Sequence, residues 1–256
     1  MADSDPNDSG SRWKATREQT PLTLTISRDV LQFSISPTEF FTSRPEIHNL
    51  IAGTIIFRPT HNSPPTDLSY ETLLLRRAPS DSFPLKWEIP GGTADPSVDR
   101  SIIEVAVREL LEETQLRARG VSHTVGLGLP HGVSSLALTG EAEDAKMDAE
   151  SNICLLRVSG LIWAVVTFIA DVEDEQAEVV LQDDEHVEWA WVTELEVEDG
   201  EFGGEPGKKL DFVSEAMRMI VLEGFRLRKE IAQKSDQEAL SQTVQYWPPS
   251  YDKHAP

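Results

Sequence analysis

Glu109, Glu112 and Glu113 stand three and four positions apart in the segment WEIPGGTADPSVDRSIIEVAVRELLEETQL, residues 87–116. On a helix they share about 100° of arc, where like charges at i, i+3 and i+4 repel by a few tenths of a kcal/mol per pair. A divalent cation turns that repulsion into attraction. Three carboxylates suit Mg²⁺ or Mn²⁺, hard ions that take oxygen ligands and keep several waters in phosphate chemistry. Such an ion polarises phosphoryl oxygens and acidifies a bound water, so the expected chemistry is cleavage of a diphosphate. Gly91 and Gly92 precede the helix and can bring backbone carbonyls close to the ion, because no side chain intervenes. Arg108 is expected to pair with Asp99 and fix the acidic loop against the helix. A run of glutamates alone is more often a solvated face; the Pro-Gly-Gly turn and Arg108 in register single this one out.

The elements around these residues follow from periodicity. Residues 101–117 carry Ile103, Ala106, Val107, Leu110 and Thr114 on one stripe, which predicts a helix with that side on the core. Ser101 and Glu104 have capping-box spacing at its start. Residues 22–36 read as one or two strands, and 49–59 and 71–79 as two more, the first ended by Pro59. Residues 60–69 read as a loop. The strand pattern resumes at 121–129, at 155–172 as a long strand or hairpin, and at EVVL and HVEWAWVT on either side of QDDE. Residues 208–234 predict an amphipathic helix with Phe212, Ala216, Ile220, Leu227 and Ile231 on its apolar face. Strands, helix, strands, helix imply an α/β (α+β) fold with a curved mixed sheet and helices on its faces.

Residues 1–20 are polar and expected to be disordered. They precede a domain expected over 21–234, with an acidic insertion loop at 130–154 and a tail at 235–256. The chain of 256 residues carries a formal charge of −21, against a non-specific nucleic-acid binder or a peripheral membrane protein, which need basic surfaces. Cations in the site would remove the repulsion of an anionic substrate. The single cysteine, Cys154, excludes an intrachain disulfide and a thiolate zinc cluster. No apolar leader opens the sequence, and the run GLIWAVVTFIA falls short of the roughly 20 residues that span a bilayer. A soluble protein of the cytoplasm is expected, with the nucleus left open.

The order PGG, acidic loop, REL-L-EET-x-L resembles the Nudix box of the Nudix hydrolases. Gly92, Arg108, Glu109, Leu110, Glu112, Glu113 and Leu116 match its fixed positions. The chain departs from the pattern in three ways. The loop is two residues longer, Asp99 stands where a Glu is usual, and Gln115 takes the helix-ending glycine position. With Gln115 there, the helix is expected to run on toward Gly120. The resemblance implies an α/β/α sandwich and a small-molecule substrate, a nucleoside diphosphate linked to another moiety. It also implies metal held by Glu109, Glu112 and Glu113 with one further acid from a later loop. Glu185 is the best placed for that acid, with Asp183 and Asp184 as rivals, and Glu109 and then Glu185 are the candidates for general base. Arg76 or Arg77 would face the pocket and clamp phosphate; Arg77 is the one chosen. Other readings are a silent nucleotide- or protein-binding domain, or an enzyme of isoprenoid diphosphates, which needs an apolar pocket. A homodimer is carried over by analogy alone.

Overall fold

The computed structural model describes residues 24–60, 69–130, 133–137, 142–148, 150–182, 185–205, 207–235 and 244–246. The expected disordered segment 1–20, the loop 61–68, most of the tail, and Asp183 and Asp184 lie outside them. In chain order the elements are β1 (Leu24–Ile26), a 3-10 helix (Arg28–Phe33), α1 (Pro37–Ser43), β2 (Asn49–Pro59), β3 (Tyr70–Arg77), β4 (Trp87–Glu88), β5 (Gly91–Thr93) and α2 (Ile102–Thr114). There follow β6 (Ala118–Val125), β7 (Ser135–Ala137), β8 (Ala142–Asp148), β9 (Ile153–Val158), β10 (Leu161–Val172), β11 (His186–Thr193), α3 (Glu194–Asp199), α4 (Glu215–Ser235) and β12 (Val244–Tyr246).

The sheet is open and mixed, in the order β11-β3-β2-β10-β6-β1-β12. β2 runs parallel to β10 and β1 parallel to β6; the other pairs along this order are antiparallel. Side chains alternate across a strand, and here both faces are covered. Leu50, Ala52 and Ile56 of β2 and Ala164, Val166 and Phe168 of β10 join Ile102, Val105, Ala106 and Leu110 of α2. Ile55, Phe57, Val165 and Ile169 from the same strands join Ala216, Ile220, Val221 and Phe225 of α4. Burial on both faces is why these strands read as nearly continuous apolar runs. The result is the expected α/β/α sandwich.

Four local expectations are corrected. The stretch expected to be one or two strands at 22–36 gives only three residues of strand; Ser27 then caps the 3-10 helix by accepting from the Asp29 amide. Ser36 and Glu39 form a reciprocal capping box, with Pro37 at the first turn, that starts the unforeseen α1. EVVL is not a strand; the Val180 amide donates to the Thr114 carbonyl at 3.0 Å, outside any ladder. The expected insertion loop at 130–154 instead contains strands, with β8 pairing with both β7 and β9. The late helix starts only at Glu215, where Ser214 Oγ accepts from the Met217 amide.

Helix α2 also ends earlier than expected. Gln115 takes the left-handed conformation itself, at φ 60°, and its Nε2 donates to the Leu111 carbonyl at 3.2 Å. A side chain in that region costs roughly 1 kcal/mol relative to glycine, and the added bond offsets part of it. Gln115→Gly is therefore expected to stabilise the protein by somewhat less than about 1 kcal/mol, seen as a higher urea midpoint with an unchanged slope.

Candidate active site

The Pro-Gly-Gly turn is pressed between β2 and α2. β5 pairs antiparallel with β2, Gly91 opposite Gly53 and Gly92 opposite Ala52. A Cβ on Gly91 would stand 2.6 Å from Gly53 Cα, and one on Gly92 would stand 2.5 Å from the Glu109 carboxylate. The first contact is with backbone, so Gly91 is required by closeness rather than by turn geometry, whereas at Gly92 the Glu109 carboxylate would have to swing away. The Gly91 amide then donates to Glu113 Oε2 at 2.9 Å. Two turns of α2 thus lay carboxylates directly on bare backbone.

The long loop before α2 is closed by an ion-paired fork. Arg108 Nε and Nη2 donate to the two oxygens of Asp99 at 2.9 and 3.1 Å, and Asp99 Oδ2 also accepts from the Asp95 amide at 2.7 Å. Arg108 Nη1 lies 2.8 Å from both Glu109 and Glu112. At the helix start Ser101 Oγ accepts from the Glu104 amide, but the Glu104 carboxylate accepts from Arg100 N rather than closing a box on Ser101.

Glu109, Glu113, Gly91, Gly92 and Glu185 all line one cavity of about 1290 Å³, together with Arg77, Glu88 and His186. Glu112 does not; its side chain is 52% exposed and rests on Arg108 at the rim. Arg77 reaches the cavity, yet its guanidinium is already bound by Glu88 and Asp81, each at 2.5 Å, and by the Ser82 carbonyl. Arg76 faces the other way, onto Glu188 and the Leu85 carbonyl. Trp87 is core and Trp163 lines the cavity.

Crowded buried carboxylates resist ionisation. Glu113 is pushed well above the usual carboxylate range, first by burial, then by Glu88, with Glu109 and Glu185 adding to it against the pull of the Gly91 amide. Glu109 is raised mainly by burial, although Arg108 works in the opposite direction. Burial pushes the Cys154 thiol up to about 12, so the only cysteine lines the cavity without serving as a nucleophile.

Does this donor set fit a divalent ion? One ligand atom each from Glu113, Glu185 and His186 fall within 4.8 Å of one another, and His186 Nδ1 is buried without a hydrogen-bond partner among the described residues. A concentration of negative charge, an orphaned lone pair and glycine backbone beside them fit a cation. Glu88 and His186 were not singled out from the sequence. Their only signal was adjacency to residues that were, Glu88 just before the turn and His186 just after Glu185.

An open mixed sheet lies between helices, with an acidic helix docked on a glycine turn at the mouth of a cavity. The NUDIX domain family model matches residues 57–210, more than half of the chain, so the chain belongs to the Nudix family and is a pyrophosphohydrolase of that type. No curated protein sequence matches it. Among solved structures it is similar to the Ap4A hydrolase of C. elegans in a binary complex, at 18% identity over 72% of this chain and 99% of that one, TM-score 0.43. It is similar to the NUDIX domain of Shewanella oneidensis NrtR complexed with ADP ribose, at 15% identity over 75% and 99%, TM-score 0.45. The MutT protein of Methanosarcina mazei Go1 matches at 21% identity over 72% and 97%, TM-score 0.41. No helix among the described residues is long and apolar enough to cross a membrane.

Proposed function

We propose that the protein hydrolyses the diphosphate linkage of a nucleoside diphosphate joined to another moiety, using Mg²⁺ or Mn²⁺ held by Glu109, Glu113 and Glu185. The observation that carries this reading is the convergence of those carboxylates with Gly91 and Gly92 at one cavity. When bound, the ion polarises phosphoryl oxygens and lowers the pKa of a water. Glu109, which faces the cavity beside Gly92, would accept the proton of the attacking water. Oxygen of that water bonds to phosphorus, the bridging P–O bond breaks, and the bridging oxygen leaves on the other phosphate. Arg108 and Asp99 hold the helix and loop in place, Arg77 anchors Glu88, and Glu112 serves the rim.

Two wall atoms bear on the substrate. Trp163 Nε1 and Thr167 Oγ1 are buried, line or border the same cavity, and have no partner among the described residues. Trp163 and Thr167 add polar side chains to the wall of that cavity, which suit a base or ribose better than a hydrocarbon chain. The isoprenoid reading keeps a specific observation in its favour, the apolar wall of Ile51, Leu156, Val165, Phe212, Met217 and Ile220.

The test is incubation with Mg²⁺ and ADP-ribose, dinucleotides, CoA, nucleoside triphosphates or an isoprenoid diphosphate, followed by phosphorus NMR. Hydrolysis of a nucleoside diphosphate derivative that disappears in Glu109→Gln supports the reading. Turnover of the isoprenoid diphosphate alone selects the second one, and binding without turnover by folded, metal-loaded protein selects a silent domain. Trp163→Phe keeps an aromatic wall but loses the indole N–H and part of the ring, so kcat/KM for a nucleoside substrate should fall about 2–10-fold, the worth of one hydrogen bond, and more than for an isoprenoid one.

A further inference from the structure

The sheet register places a histidine where carboxylates were expected to act alone. His186 on β11 stands opposite Arg77 on β3, and β3 in turn carries Glu88 on β4 opposite Leu75. Arg77 Nη1 donates to Glu88 Oε1 at 2.5 Å, and the same oxygen lies 3.1 Å from His186 Nε2. That oxygen already accepts from Arg77, so Nε2 is the natural donor to it, and in the neutral ring Nδ1 then keeps its lone pair. That lone pair belongs to a ring 3% exposed, has no hydrogen-bond partner among the described residues, and lies 3.9 Å from Glu113 Oε1.

A lone pair facing a carboxylate oxygen is repulsive unless positive charge lies between them. The separation exceeds a hydrogen bond. It is short enough for one ion to touch both atoms, since metal–ligand bonds are about 2 Å long. Glu185 offers an oxygen within the same 4.8 Å group. A ring tethered through its other nitrogen to a carboxylate, itself fixed by an arginine, is the outer arrangement that orients metal-binding histidines.

We infer that His186 Nδ1 is a metal ligand beside Glu113 and Glu185, so that the site is a mixed nitrogen–oxygen one that selects Mn²⁺ over Mg²⁺. Mn²⁺ stands at the weak end of the first-row series but still gains from an imidazole nitrogen, whereas Mg²⁺ is taken by oxygen and keeps its waters. The Arg77–Glu88 pair positions the ring and does not touch the substrate. This inference rests on the metal-dependent reading above, and it extends that reading to which ion is taken and by what atom.

The test is pulsed electron paramagnetic resonance of Mn²⁺ bound to the full chain, with calorimetric titration of Mn²⁺ and of Mg²⁺. The expected result is a nitrogen modulation characteristic of imidazole, which changes on ¹⁵N-histidine labelling and vanishes in His186→Gln. Glutamine retains a donor for Glu88 and removes Nδ1. Mn²⁺ affinity should fall at least about tenfold in that variant and Mg²⁺ affinity by less than about threefold, while Glu88→Ala, which frees the ring, should weaken Mn²⁺ binding about 10–100-fold. Should His186→Gln fail to fold, the labelled wild type and Glu88→Ala still decide. Bound Mn²⁺ without nitrogen modulation, or equal losses for the two ions, overturns the inference and leaves metal-dependent hydrolysis standing. Absence of both metal binding and hydrolysis overturns the two together.

Discussion

Glu113→Gln is expected to make the metal-free protein more stable and the metal-loaded protein less active, in one substitution. Its side chain is 5% exposed and accepts from the Gly91 amide, a bond that an amide oxygen keeps. Its folded pKa lies well above the ordinary value near 4.5 because of burial and the carboxylates around it. The sign follows from linkage: the unfolded chain releases this proton first, so the stability contributed by Glu113 is complete below about pH 4.5 and is lost as pH rises through the folded pKa. At pH 7 in a chelator, the glutamine variant should therefore melt higher. Neutralising a buried charge with a shape-alike group contributes on the order of 1–2 kcal/mol, or about 2–8 °C for a domain of this size. Adding Mn²⁺ or Mg²⁺ reverses the ranking. An ion at a hundred times its dissociation constant stabilises the wild type by about 2.7 kcal/mol, and the variant should gain little of this. Hydrolysis should fall about 10³-fold, the value of some 4 kcal/mol of lost transition-state charge stabilisation. Scanning calorimetry of both proteins at pH 5 and pH 8, with and without metal, reads every term. Lower metal-free stability in the variant would mark Glu113 as a packing residue and sink the electrostatic account.

What the sequence made legible was local. β2 and α2 were readable because an apolar run ended by Pro59 and a 3.6-residue stripe behind Ser101 each specify one element without help from elsewhere. The 3-10 helix at Arg28–Phe33 was misread because Val30, Leu31 and Phe33 suit either period over so short a run, and only the Ser27 side chain decides. α1 carried a full signature in Ser36, Pro37 and Glu39, but seven residues give no periodicity to confirm it. Gln115 misled because the usual glycine was taken as a condition of the helix stop. Its own amide bond to Leu111 and the packing of Leu116 make the stop affordable. The acidic helix was visible as charge; the residues that face it were not. His186 and Glu88 are 98 positions apart and meet through the register of β11, β3 and β4, which no local pattern encodes. Glu112 shows the converse, since spacing put it with Glu109 and Glu113 while the rotation of α2 turns it to the Arg108 rim.

That rim makes Arg108→Ala the most destabilising single change expected here. Asp99 has no exposed side-chain surface, and its two oxygens are met by the Arg108 fork and the Asp95 amide. Removing the fork strands a buried anion, and breaking such a pair from one side costs about 3–5 kcal/mol, which is a large part of a typical domain's stability. The acids on Arg108 hold its own pKa above the ordinary arginine value, so the fork stays charged at every accessible pH. Arg108→Lys keeps the charge without the two-pronged geometry and should recover only part of the loss. Asp99→Ala combined with Arg108→Ala removes both charges, so the double variant should be more stable than the sum of the single losses predicts, by about 1–3 kcal/mol of coupling. Urea unfolding of the four proteins gives that coupling directly. The same substitution withdraws the cation beside Glu109, whose pKa Arg108 now lowers against burial. Folded Arg108→Lys protein should keep this charge and hence the wild-type pH profile, while any folded fraction of Arg108→Ala should need a higher pH to ionise Glu109. Additive losses across the cycle would show that Asp99 finds another partner, and the longer loop would then have no role in holding α2 against the glycine turn.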